Sequence, residues 1–269
     1  MSVYVKQNSI TIGFNSSGSW TILSPIEQSI KAKIEAIGTP LRDWNIKINS
    51  GIKTGCNEAF IISGERKDEL IREDPKSAEI IRPILRGRDI KRYGYEFANQ
   101  YLIATHNGYT DDNRIEVRPI DIESYPAIKA HLDLFWDAIS KRTDQGVTPY
   151  NLRNCAYMDD FSKQKIVWSD ISTEPTFSII NERIFINNTC YMITNAPIWL
   201  IDYLNSPIVT WYFPKIATDL GSNGVRYFKQ FVEKIPVPNT FDIKNELAEF
   251  SFTDYEKQYL YNVIKNGIT

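Results

Sequence analysis

WNIKINSGIKTGCNEAFIIS, residues 44–63, places two short apolar runs, WNIKI (44–48) and AFIIS (59–63), on either side of a turn at Asn49-Ser50-Gly51. Runs of this length, rich in Ile and Phe and bounded by Asn, Ser and Gly, are strand signals. The pattern recurs outward in YLIAT (101–105), KIVWS (165–169) and a pair around FSII and RIFIN within 177–187. Helices are set between these runs. Ser24, Pro25 and Glu27 make a capping box with proline at the first helical position, and Ile26, Ile30, Ile34 and Ile37 form one stripe that stops at Gly38. Asp74-Pro75 is expected to open a second helix ending before Pro83. Ser124 should open a third, with Ile128, Leu132, Phe135 and Ile139 on one face. Asn195 and Pro197 start another that reaches Asn205, where Ser206-Pro207 restarts it. Thr253 and Glu256 form a second capping box before a last helix carrying Leu260, Val263 and Ile264.

The fold class expected from this order is α+β, a mixed β-sheet with interspersed helices and a flanking helix at each end. Three regions follow: an extended lead-in plus capped helix (1–38), a body (39–238), and a linker with the C-terminal helix (239–269). IPVPNTFD (235–242) reads as the start of that linker.

With 269 residues the chain can bury a full core, and 42% hydrophobic with 24% charged residues is the balance of a soluble globular protein. A net charge of −2 gives no global basic field, so any nucleic-acid binding must rest on local clusters. Fifteen Tyr and six Trp serve either core packing or a recognition surface. Cys56, Cys155 and Cys190 form no CxxC pair and are expected as reduced thiols in a cytoplasmic protein. MSVYVKQNSITIGF lacks the pattern of a signal peptide, and no apolar run approaches the ~18 residues of a membrane span.

No catalytic constellation stands out. GFNSSGSW (13–20) carries glycines but opens no helix at the right place, and neither a GxGxxG nor a P-loop pattern occurs. An amino-methyltransferase would carry Asn/Asp-Pro-Pro-aromatic. The nearest strings, Asn195-Ala196-Pro197 and Asn205-Ser206-Pro207, read better as helix caps. Glu65-Arg66-Lys67 matches only the last piece of a magnesium-nuclease pattern. His131 reads as a packing histidine on a helix, and His106, in a polar turn with Asn107 and Gly108, has a possible contact role. Neither has a partner for metal or nucleophile work.

Three loops concentrate polar and basic groups instead. Arg82 to Tyr93, RPILRGRDIKRY, holds five cations and one anion, and Arg is suited to guanine edges and phosphates. Its alternative reading is a solvated charge run. Ser50 to Glu58 has glycines that let backbone approach a ligand, and Asp219 to Tyr227 is a third such loop.

These loops also carry a family resemblance. Gly51-Ile52-Lys53-Thr54-Gly55 with Asn57-Glu58-Ala59-Phe60, Leu70-Ile71, Ile81-Arg82-Pro83, Leu85-Arg86-Gly87-Arg88-Asp89-Ile90 and Arg92-Tyr93 resemble the TaqI-like C-terminal specificity domain. Tyr150-Asn151-Leu152-Arg153, Lys165-Ile166-Val167-Trp168 and Asn188-Thr189 with Tyr191 continue it. Leu204-Asn205-Ser206, Gly224 with Arg226, and Ile235-Pro236-Val237-Pro238 resemble the closing stretch shared with type I specificity subunits. The similarity runs from Trp20 to Pro238. In that family the domain is the target-recognition part of type IIG restriction-modification enzymes, joined to a nuclease and an adenine-specific DNA methyltransferase. This chain lacks both catalytic parts, so it is expected to be a fragment or a stand-alone specificity subunit.

The resemblance implies that the chain reads duplex DNA while methyltransferase and nuclease domains of the same or a partner polypeptide act on it. S-adenosylmethionine and magnesium are then expected only in those domains, and no cofactor or metal in this chain. The DNA-contacting residues expected are Lys53, Thr54, Asn57, Arg86, Arg88, Arg92, Arg153, Asn223 and Arg226. Arg88 could instead pair with Asp89. Two alternatives remain: a cryptic nuclease using Asp159/Asp160 with Lys163 or Lys165, and a docking module that binds a methyltransferase through its terminal helices.

Overall fold

The run Lys165–Ser169 is buried along four consecutive residues, the signature of a strand covered on both faces. In a computed structural model of the chain, residues 23–245 and 247–265 are described. The expected lead-in and the GFNSSGSW segment lie outside them. The main strands are β1 (Lys47–Ser50), β2 (Ile61–Ser63), β3 (Ile81–Leu85), β4 (Gln100–Ile103), β5 (Lys165–Ser169), β6 (Ser178–Ile180), β7 (Phe185–Ile186) and β8 (Cys190–Thr194). The main helices are α1 (Pro25–Ile37), α2 (Gly64–Glu73), α3 (Pro126–Asp133), α4 (Leu200–Leu204), α5 (Pro207–Tyr212) and α6 (Asp254–Lys265).

In place of the single sheet expected from sequence, the described residues form four two-stranded sheets and two four-stranded ones, and the α+β class holds. One is antiparallel in the order β6-β5-β8-β1, with Val167 opposite Met192 and Ile193 opposite Ile48. The other runs β7-β3-β4-β2 and is mixed, because β7 lies parallel to β3 through Phe185–Ile84 and Ile186–Leu85. Successive side chains of β5 go to opposite faces. Val167 joins Met192 and Ile180 in a core shared with the second sheet, where Phe161 stacks on Phe185 at 4.5 Å. Ile166 and Trp168 join Ile48 and Ile193 against a helical layer of α1, α4, α5 and α6. The Trp168 indole N–H donates to the Tyr227 carbonyl at 2.7 Å, so the buried ring keeps its polar partner.

Both capping boxes form as read. The Ser24 backbone N–H donates to Glu27 Oε2 at 2.9 Å, and the Thr253 N–H to Glu256 Oε2 at 2.7 Å. Ile30 and Ile34 on the α1 stripe are fully buried, each stabilising the layer by about 2 kcal/mol. Glu256 ties α6 to α1: it accepts from Ser29 Oγ at 2.7 Å and from Lys33 Nζ at 2.6 Å.

Other expectations need correction. AFIIS does not begin as a strand, because Asn57–Phe60 is a helical turn and only Ile61–Ser63 pairs with β4. Ser63 then caps α2 by accepting from the Arg66 N–H, a helix absent from the sequence reading. The segment after Asp74-Pro75 is a 3-10 turn, Pro75–Glu79, closed by the Asp74 side chain. The third helix breaks after Asp133, where Leu134 and Phe135 donate three residues back to His131 and Leu132 before a separate turn, Trp136–Ile139. IPVPNTFD does not start as a free linker. Ile235 and Val237 are fully buried, and Pro236–Val237 pairs antiparallel with Thr39–Pro40.

Candidate nucleic-acid interface

Two of the loops singled out by sequence leave the same end of the two sheets. Ser50 ends β1, Ser169 ends β5, Leu85 ends β3, and Cys190 begins β8 beside them. The turn Asn187-Asn188-Thr189 sits at the centre of this rim. The Ile52 N–H donates to the Ile186 carbonyl at 2.8 Å, and the Asn187 N–H to the Leu85 carbonyl at 2.9 Å. Thr189 Oγ1 accepts from the Gly87 N–H at 2.9 Å, and its carbonyl accepts from the Asp170 N–H. Glycine at 87 permits this close approach, since a Cβ would lie 2.5 Å from Ser169 Oγ and 3.0 Å from the Thr189 carbonyl oxygen. Ile171 then pairs with Arg226, which brings in the third loop.

Within this rim the expected contact residues separate by partner. Arg86 faces Asp89: its Nε and Nη2 each donate at 2.9 Å, and the Arg86 backbone N–H adds a third bond at 2.8 Å. Burial opposes ionisation of Asp89, but the Arg86 bonds and charge outweigh it and hold the carboxyl below the ordinary range. The ion pair at this turn therefore involves Arg86, not Arg88. Arg88 is exposed, with no side-chain hydrogen bond or ion pair among the described residues. Arg92 donates to the Asn205 carbonyl at 2.6 Å and lies 5.7 Å from the Tyr93 ring centre, which fixes it against α4.

Lys53, Thr54 and Asn57 line an open polar pocket of about 230 Å³ with Gly55, Cys56, Asp144 and Asn188. Thr54 is 3% exposed and acts as a brace, donating to Asn57 Oδ1 at 2.6 Å and accepting from the Cys56 N–H. Lys53 and Asn57 are exposed, and Arg153 meets Asp144 at 3.1 Å at the edge of the same pocket. Arg226 stacks on Phe228 at 5.0 Å, and Asn223 is exposed at the tip of its loop.

Sequence reasoning missed the residue that holds the pocket together. Arg142, 7% exposed, donates through Nη1 to the carbonyls of Thr54 and Asp144 (2.9 Å), and through Nη2 to those of Pro149 (2.8 Å) and Asn151 (2.5 Å). Its guanidinium also lies 4.5 Å from the Phe60 ring centre. One side chain thus joins the 53–57 loop to the 144–153 loop. All four acceptors are backbone carbonyls, which leave no mark in a sequence.

The two histidines are structural. His131 Nε2 lies 3.0 Å from the Ala59 carbonyl oxygen, and His106 packs edge-on to Tyr109 while its Nδ1 accepts from the Gly108 N–H. The residues of the nuclease alternative are engaged elsewhere. Asp160 is buried and accepts from Asn49 at 2.9 Å and Lys163 at 2.7 Å, and Asp159 accepts from the Asp112 N–H. Lys165 donates to the carbonyls of Phe161, Lys163 and Glu182, and burial pushes its pKa down to about 8. Among the described residues no three His, Cys, Asp or Glu side chains converge as a metal site.

The α+β body thus presents an ordered, cation-bearing loop rim, the kind of surface on which functional residues concentrate. The chain belongs to the TaqI-like C-terminal specificity domain family, whose model matches residues 82–237. It is a target-recognition domain of the restriction-modification class. Among curated proteins it is 25% identical over 241 residues to the Type II methyltransferase M.BanIII of Aneurinibacillus aneurinilyticus, covering 80% of this chain and 40% of that protein. The chain thus spans well under half the length of that relative. The Type IIL restriction-modification enzyme MmeI, solved in complex with DNA, shares the fold with a TM-score of 0.55 at 15% identity, over 73% of this chain and 25% of that one.

Proposed function

We infer that this chain reads a specific sequence in duplex DNA and so positions methyltransferase and nuclease domains that lie outside it. One observation carries the reading: three loops distant in sequence, 51–57, 86–92 and 219–226, gather on one rim with Lys53, Arg88 and Arg226 among them. Rigid turns braced by Thr54, Asp89 and Thr189 present these cations. Phosphate contacts then fix the register of the domain, and uncharged groups between them face the base edges.

The chain is expected to bind duplex DNA with log affinity falling against log salt by roughly 0.9 per phosphate neutralised. Arg88→Ala should lower that slope by about one unit, whereas the braced Arg86 should affect binding only through the fold. A fluorescence-anisotropy titration from low to physiological salt tests both. A flat salt response in the unaltered chain would count against a DNA-binding rim.

The same reading assigns the chemistry to other domains. The chain carries neither the glycine-rich cofactor turn nor the Asn/Asp-Pro-Pro-aromatic motif of an amino-methyltransferase. Calorimetric titration with S-adenosylmethionine is therefore expected to show no binding. Micromolar affinity would place a methyl-transfer site within these 269 residues.

A further inference from the structure

We propose that the two-stranded ribbon at one side of the rim is the element that enters the major groove, with Asn223 reading an adenine edge and Ile171 a thymine methyl group. The proposal rests on the DNA-reading function above and adds which element and which side chains discriminate. The ribbon is formed by Ile171–Ser172 paired antiparallel with Val225–Arg226. Beyond the pairing the chain continues into two exposed turns, through Thr173 and Glu174 on one side and Gly221, Ser222 and Asn223 on the other.

The backbone is built for close approach of these two strands. Gly224 has φ +93°, and a Cβ there would lie 2.3 Å from the Ser172 carbonyl oxygen. At the far end Gly221 has φ +62°, and a Cβ added there would meet nothing within 4 Å, so the tip stands in open space. The foot is fixed, because the Tyr227 N–H donates to the Asp170 carbonyl at 2.8 Å and the Arg226 N–H to Thr218 at 3.0 Å. Asp219 bridges Val225 on its other side, so it is the tip beyond the pairing, residues 220–224 closed by the Leu220 N–H on the Gly224 carbonyl, that is narrow enough for a groove roughly 12 Å wide.

Side-chain chemistry separates this element from its neighbours. Lys53 and Arg88 on the neighbouring loops are exposed cations suited to phosphates. The ribbon holds one cation, Arg226, stacked on Phe228, and otherwise supplies Ile171, Thr173, Ser222 and Asn223, with Glu174 and Asp219 adding negative charges that a phosphate-gripping surface would not carry. Ile171 is 41% exposed at a position where no core requires it. The Asn223 side chain makes no hydrogen bond among the described residues, which leaves its amide able to pair donor and acceptor with adenine N7 and N6. An aliphatic side chain is suited to contact the thymine methyl.

Selection from randomised duplexes with the full chain tests this, alongside Asn223→Ala, Ile171→Ala and Arg88→Ala. Asn223→Ala should lose about tenfold discrimination at one position that is adenine in the unaltered consensus, and Ile171→Ala the same at a thymine position. Both should melt like the unaltered chain, with the loss confined to cognate duplex. Arg88→Ala should weaken cognate and scrambled duplexes alike. A consensus that survives intact in both ribbon variants overturns the proposal, as does an equal loss on cognate and scrambled DNA. An unaltered chain that enriches no sequence overturns the DNA-reading function itself and the ribbon's role with it.

Discussion

Arg142→Ala is expected to destabilise the chain by about 4 kcal/mol and lower its melting temperature by roughly 10 °C. Four backbone carbonyls, those of Thr54, Asp144, Pro149 and Asn151, accept from its guanidinium. Alanine would remove that donor from all four. The Asn151 carbonyl keeps the Gly146 N–H, and the part-buried Asp144 and Pro149 carbonyls can turn to water. The buried Thr54 carbonyl is left unsatisfied, each such loss costing about 1–3 kcal/mol. Local collapse and entering water recover part of that sum. Burial works against the charge of Arg142, but the bonds hold it in place. Arg153→Ala, which removes an exposed partner of Asp144, should change stability by less than about 0.5 kcal/mol. Differential scanning calorimetry of the two variants decides the matter. If Arg142→Ala melts within 2 °C of the unaltered chain, the clamp does not organise the loops.

The second large effect is an acid-dependent loss of stability centred on Glu256. Burial alone would raise its pKa, but Lys33, Ser29 and the Thr253 cap together bring it down to about 2. A carboxyl whose folded pKa lies below its ordinary value of 4.5 contributes stability that is present above pH 4.5 and lost as pH falls toward 2. The contribution is on the order of 2 kcal/mol once solvent screening of Lys33 is allowed for. Glu256→Gln should therefore unfold at lower urea than the unaltered chain at pH 7, with the gap closing as pH approaches 2. A gap that stays constant across this range would mean that the charge of Glu256 contributes nothing to holding α6 against α1.

Local signals were legible from sequence, and those that depend on long-range partners were not. Ser24–Glu27 and Thr253–Glu256 act across three residues, so the capping boxes show in the text and form in the fold. KIVWS reads as a strand because Ile166, Val167 and Trp168 form a short apolar run, and the fold then buries it on both faces. By contrast α2, GERKDELIRE, buries only Gly64 and Leu70, so its polar face hides its helical period. Its cap, Ser63, reads equally well as the end of AFIIS.

The candidate site divides the same way. Residue types singled out three loops, and the structure brings those loops to one rim. Which arginine pairs with Asp89 could not be read, because Arg86 and Arg88 both lie within reach along the chain. Backbone geometry selects Arg86, whose side chain and N–H meet the same carboxylate. Thr54 likewise offered a hydroxyl that suits a DNA contact, yet the fold uses it to brace Asn57 and Cys56.

Thr39–Pro40 and Pro236–Val237 lie side by side as antiparallel neighbours, although almost two hundred positions separate them along the chain. Everything between, including all three rim loops, is therefore a closed circuit that begins and finishes at one spot. Circuits of this kind can be cut out and replaced without rerouting the flanking polypeptide. The circuit is not independent of its flanks, however, because Ile48, Leu204 and Trp211 within it share one core with Ile30 and Ile34 of α1 and Leu260 of α6. An exchanged segment would therefore have to keep that apolar face while its rim loops varied.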